Sequence, residues 1–179
     1  SSYVGSLGTS LAGMVANLSC NTRGWEDKVD TFSDIAYNIN KIREELLFLV
    51  DEDSNAFNKI MNAYKLPKNN DKESKARLEA INKSTLYAAE VPLRVMKKAF
   101  ECYEYISKLA KDGNQNSISD SGVACLCVYT SIYGAYLNVK INLKDISDDD
   151  SGIVENAEKL LKKSELEKEK ILKYIQGKI

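Results

Sequence analysis

The sequence predicts an all-α fold: an antiparallel helical bundle of about five main helices, two of them long. Two observations predict it. Apolar residues recur at three- and four-residue steps over long stretches, which is the period of one helix face. Gly and Pro are scarce, 9 and 2 in 179 residues, so the frequent turns that a sandwich or barrel requires are missing. A chain of this length, 44% apolar and 28% charged, can bury a core and fits one helical domain over residues 1–179.

Residues 3–20 read as the first helix. Gly5, Gly8 and Gly13 lie inside it with Ala12 and Ala16. Glycine costs about 1 kcal/mol per helix position relative to alanine, so their concentration predicts close backbone approach to another helix or to a ligand. Asn21 to Gly24 is the stop signal. Residues 25–65 carry the strongest pattern: Phe32, Ile35, Ile39, Ile42, Leu46 and Leu49 step by three and four, and Phe57, Ile60 and Tyr64 continue the stripe. The turn is Leu66-Pro67-Lys68-Asn69-Asn70.

Residues 72–111 form the second long helix, with Leu78, Ile81, Val91, Val95, Tyr103 and Ile106 on its apolar side. Pro92 removes the backbone bond to the Ala88 carbonyl, so a kink is expected there. Gly113 follows the last turn. Ser117, Ser119 and Asp120 are able N-caps for a helix from about 119 to 143. Its end, Leu137 to Leu143, alternates like a strand, but no second segment alternates to pair with it, so it reads as helix. Asp145 to Gly152 is an acidic loop; the spacing of Ser147, Asp149, Ser151, Gly152 and Glu158 only faintly resembles a calcium loop. Residues 153–176 form an outer helix with Lys and Glu at i, i+4.

Composition also excludes function classes. Lys plus Arg is 25 against 26 Asp plus Glu, so no nucleic-acid partner is expected. There is no histidine, which removes the Ser-His-Asp triad, the Cys-His dyad and His-ligated zinc. Cys20, Cys102, Cys125 and Cys127 contain no CxxC pair, so no metal site is expected and the thiols read as free, in a reducing cytoplasm. No basic n-region opens the chain, so no secretory signal is expected. Ser121 to Val139 is uncharged and nearly long enough to span a bilayer. Its polar residues and the lack of a second apolar run make it a central bundle helix, with no membrane partner. Gly8 to Gly13 is not a phosphate loop, because Met14-Val15 replaces the Lys-Ser/Thr that phosphates need.

Asp53 is the candidate catalytic residue. It lies four residues after Leu49 and four before Phe57, on the apolar seam, where partial desolvation raises a carboxylate's pKa. Such a group both takes and gives a proton; pairing with a lysine, or a place at the seam's wet edge, is the plainer account. Asp51 and Glu52 project to other faces and read as solvated. Ser131, Ala135, Asn138 and Asn142 form a small and polar stripe on the fourth helix; the asparagines could hold a heteroaromatic or an amide, or tie helices together. Lys68 could take an anionic tail. Asn114 and Asp120 flank a helix N-terminus that could orient a ligand, though capping alone explains them.

Several segments occur together in order. They are Met14 to Leu18, Val50 to Asp53 with Ala56-Phe57, Leu66 to Asn69, Ala89 to Leu93, Gly113-Asn114 with Ser119-Asp120, Gly134 to Tyr136, and Asn138-Val139 with Ile141 to Lys144. The whole resembles the cyclodeaminase/cyclohydrolase family, which includes the C-terminal domain of formiminotransferase-cyclodeaminase and stand-alone methenyltetrahydrofolate cyclohydrolases. The resemblance implies an all-helical homodimer acting on a one-carbon unit carried by tetrahydrofolate, with no other cofactor. It implies that Asp53 is catalytic. For such a substrate, Asn138 and Asn142 are the candidates to contact the folate, Lys68 and Lys144 to take the glutamate tail, and Asn114 and Asp120 are further candidate binding residues. The expected reaction is closure of 5-formimidoyltetrahydrofolate to 5,10-methenyltetrahydrofolate with loss of ammonia, which a neighbouring histidine-degradation gene would favour. The alternatives are hydrolysis of the methenyl form to 10-formyltetrahydrofolate, or a non-catalytic helical interaction module. The Pro-Gly-Gly-Gly-Ser turn that usually precedes the segment matching Ser1-Ser2 is absent from this sequence.

Overall fold

The computed structural model describes residues 1–144 and 152–179. Its helices are α1 (Ser2–Cys20), α2 (Val29–Tyr64), α3 (Asp71–Phe100), α4 (Cys102–Asp112), α5 (Ile118–Asn142) and α6 (Ile153–Gln176). Short 3₁₀ turns at Glu26–Lys28 and Gln115–Ser117 precede α2 and α5. No strand occurs among the described residues. The fold is the predicted helical bundle, and the alternating stretch at 137–143 is helix through Asn142. Most of the acidic loop and its calcium-like spacing lies outside the described residues.

Long-range contacts fix the helix directions. Ser2 Oγ of α1 donates to the Leu46 carbonyl at 2.5 Å, and Gly13 faces Ile39, so α1 runs antiparallel to α2. Tyr87 and Arg94 of α3 meet Glu52, and Lys98 meets Glu45, which sets α3 antiparallel to α2. Gly5 lies against Ser131 and Gly8 against Cys127, which sets α5 antiparallel to α1. Lys140 meets Glu158 and Tyr129 donates to Glu165, so α6 returns along α5. Helix α5 is packed by α1, α3, α4 and α6 and is the central helix, although by length and composition it could cross a membrane.

The glycines of α1 serve helix contact. A Cβ on Gly8 would fall 2.9 Å from the Cys127 Cβ and 3.1 Å from the Ala124 carbonyl. A side chain there would push α1 off α5.

Two expectations change. The second long helix is broken: it runs uninterrupted through Pro92 and stops at Glu101, where α4 begins. The Ala88 carbonyl that Pro92 leaves without a backbone donor accepts a bond from the Asn142 side chain at 2.8 Å. The buried stripe of α2 also shifts. Ala56 and Ala63 are buried, whereas Phe57 is 61% and Tyr64 52% exposed. Helix α1 begins at the level of Leu46, so it covers nothing further along α2. The tail of α2 and the start of α3 therefore pack on each other, and Leu78 is exposed as well.

Candidate active site

The α2 seam repeats every seven residues: Phe32, Ile39, Leu46 and Ile60 occupy one row, and Ile35, Ile42, Leu49, Ala56 and Ala63 the other. Asp53 occupies the missing position of the first row. It is nonetheless exposed, so the desolvation expected there is absent. The reason is structural: α1 has ended, and a groove of about 390 Å³ opens in its place. Asp53, Ser54 and Phe57 line it from α2, Ala88 from α3, and Asn138 and Asn142 from α5. Three of the residues singled out in the sequence thus share one concave site.

Asn142 has a split role. Its Nδ2 donates to the Ala88 carbonyl, which fixes the side chain and leaves its oxygen as an acceptor. Asn138 is half-buried beside it.

The other proposed binding residues lie elsewhere. Lys68 is exposed in the α2–α3 turn, beyond about 16 Å of helix past Asp53 at 1.5 Å per residue. Asn114 and Asp120 sit at the opposite end of α5, about 33 Å of helix from Asn142 by the same rise. Asn114 is structural: its N–H donates to Ser19 Oγ at 2.9 Å, and its side chain accepts from the Asn116 N–H at 3.0 Å. Asp120 is a first-turn acid of α5. Lys144 is exposed past the end of α5 and does not line the groove.

Glu52 departs most from its reading as a solvated residue. Its side chain is only 18% exposed. The Tyr87 hydroxyl donates to it at 2.5 Å, the Arg94 guanidinium lies 3.8 Å away, and Lys59 sits over the Tyr87 ring at 3.8 Å from the centroid. The Tyr87 bond, with smaller help from Asn55, Lys59 and Arg94, holds the Glu52 carboxyl below the usual range. This cluster ties α3 to α2 one residue away from Asp53. Sequence spacing could not show it, because both partners come from α3.

Thiol chemistry has little support. All four cysteines are free; burial pushes Cys125 up to about 12 and raises Cys102 further, so neither offers a thiolate near neutrality. Among the described residues no group of three or more acids and thiols is arranged to hold a metal.

The chain matches the family model described as formiminotransferase-cyclodeaminase over residues 1–170. It is 34% identical over 146 residues to the formimidoyltransferase-cyclodeaminase of Rattus norvegicus, a match covering 82% of this chain and 27% of that protein. It is 33% identical over 144 residues to the methenyltetrahydrofolate cyclohydrolase of Methylorubrum extorquens, covering 80% of this chain and 69% of that one. The chain therefore spans about a quarter of the rat protein. Among solved structures, the formiminotetrahydrofolate cyclodeaminase of Thermotoga maritima superposes with a TM-score of 0.78 at 29% identity, covering 99% of this chain and 83% of that one.

Proposed function

The chain belongs to the formiminotransferase-cyclodeaminase family, and from that premise we propose that it closes 5-formimidoyltetrahydrofolate to 5,10-methenyltetrahydrofolate and ammonia in the Asp53 groove. The observation that carries this reading is the position of Asp53: a carboxylate set in an apolar row, at the mouth of a groove whose far wall is Asn138 and Asn142.

N10 of the folate attacks the formimidoyl carbon on N5. The formimidoyl group reacts as its protonated amidinium: the new N10–C bond turns –CH=NH2+ into a tetrahedral carbon bearing –NH2. Asp53 takes the N10 proton and passes it to that nitrogen. The C–N bond then breaks to release ammonia and leave the 5,10-methenyl cation. The attack is intramolecular, so much of its entropic barrier is removed beforehand. The protein contributes proton transfer, typically worth 10²–10⁴-fold, and exclusion of water. Asp53 is open in the free protein, so the substrate itself supplies the cover when it lies in the groove. The free Asn142 oxygen and the Asn138 amide supply hydrogen bonds to the pterin.

A second reading rests on the similarity to the Methylorubrum cyclohydrolase, which is as close in identity as the rat protein. There Asp53 would deprotonate the water that opens the methenyl ring. One absorbance experiment separates the two. Appearance of the methenyl chromophore from 5-formimidoyltetrahydrofolate, with ammonia, establishes the deaminase. Its loss faster than in buffer, with no reaction of the formimidoyl substrate, establishes the hydrolase. Silence with both leaves the interaction module. We also propose a homodimer and a cytoplasmic location.

A further inference from the structure

A second groove runs between α1 and α2, with a volume of about 530 Å³. Ser10, Met14 and Asn17 line it from α1, and Ile39, Asn40 and Arg43 from α2. No Asp or Glu lines it, and the neighbouring Glu44 is engaged by the Asn40 amide at 2.9 Å. The Nε of Arg43 is buried and has no hydrogen-bond partner, and no acid lies within ion-pair distance of this guanidinium among the described residues. An arginine is always charged, and a buried donor left unmade is expensive. The groove thus holds a cation, neutral polar groups and an apolar floor, which fits an anion with an apolar body.

The two grooves lie on one flank of α2. Asn40, Arg43, Leu47, Val50, Ser54 and Asn58 follow each other at three- and four-residue steps, which is one face of a helix. Arg43 is ten residues from Asp53, about 15 Å of helix. In a tetrahydrofolate the aminobenzoyl ring and its amide place the glutamate carboxylates roughly 10 Å beyond N10, by ordinary bond lengths. The arginine side chain spans the remainder.

We propose that Arg43 anchors the glutamate carboxylates of the folate whose reacting nitrogens lie at Asp53. This assignment rests on the folate reading; the anion site at Arg43 does not. The guanidinium fork donates two parallel hydrogen bonds to a carboxylate, which a lysine cannot reproduce.

The test titrates the wild type, Arg43→Gln and Arg43→Lys with N-(4-aminobenzoyl)-L-glutamate by calorimetry and follows steady-state turnover of both folate substrates. Arg43→Gln is expected to weaken the titration and raise KM by roughly 10- to 100-fold, the range for a hydrogen bond to a charged group, with kcat within about twofold. Arg43→Lys is expected to recover part of the loss. An affinity for aminobenzoylglutamate that is the same in wild type and Arg43→Gln, or no binding by the wild type, overturns the site. Arg43-dependent binding without turnover of either folate upholds the anion site and removes the folate reading beneath it.

Discussion

The Ala88 carbonyl shows how one residue can serve both the scaffold and the site. Pro92 cannot donate to it, and Asn142 Nδ2 does. Asn142→Ala leaves that carbonyl unpaired behind the groove, so it should lower stability by about 1–3 kcal/mol, read as a shift of the denaturation midpoint, and should weaken folate binding at the same time. Asp53 behaves in the opposite way. It supports no packing, and a leucine in that row would add burial. Asp53→Asn should lose at least a hundredfold in kcat with an unchanged unfolding midpoint, whereas Asp53→Leu should match or raise the midpoint and abolish turnover. A tenth or more of wild-type activity in Asp53→Asn would remove the carboxylate from the chemistry. Glu52 is a third kind of residue, read from the sequence as solvated and found tying α2 to α3. Its folded pKa is depressed, so its contribution is present above the ordinary value of 4.5 and lost as pH falls through the folded value. Tyr87→Phe should therefore destabilise the protein at pH 7, and its difference from wild type should shrink as pH falls through and below that range. Asp53, Asn138 and Asn142 were legible in the sequence because each is polar within an apolar pattern of its own helix. Glu52 and Arg43 were not, because their surroundings come from other helices.

At the scale of elements, periodicity located the helices well: α1, α2, α5 and α6 match their expected spans within a few residues. It failed where an element depends on how far its neighbour extends. Phe57 and Tyr64 read as the continuation of the buried stripe, yet both are exposed once α1 has ended near Leu46. The break at Glu101 has no Gly or Pro to announce it, while Pro92, which does announce itself, is accommodated by a side chain from α5. The glycines of α1 were read as a sign of close approach, and α5 is what approaches. Gly8→Ala tests the tightness of that contact. Alanine is the better helix former, so an isolated α1 would gain, but the new Cβ meets a backbone carbonyl at 3.1 Å. The net effect should be destabilising by about 1–3 kcal/mol, measured by chemical denaturation. Gly13→Ala, with Ile39 at an ordinary 3.6 Å, should be neutral or stabilising. If both substitutions stabilise, α1 and α5 do not pack as described.

The whole molecule leaves its central helix incompletely covered. Helix α5 is packed by four others, yet Val123, Leu126, Tyr133, Leu137 and Ile141 remain exposed along one side of it. Helix α1, which packs beside it, exposes Tyr3, Leu7, Met14 and Leu18. Two adjacent helices with apolar outer faces make a surface of the kind that marks an interface rather than a solvated side. The α5 residues recur at three-, four- and seven-residue steps, as a helix packed on both sides requires. A second copy related by a two-fold axis would bury both rows with the same patch. The 20.0 kDa chain should then sediment at about twice that mass. Leu126→Glu with Leu137→Glu places two buried charges on each side of the axis and should yield a folded monomer, read by sedimentation velocity and far-UV circular dichroism. Ile141 adjoins Asn142, and Met14 lines the Arg43 groove, so the same surface borders both grooves. The monomer should lose affinity for folate more than it loses stability. A wild type that stays at the mass of one chain at high micromolar concentration would remove the second copy, and with it the reason for these apolar rows.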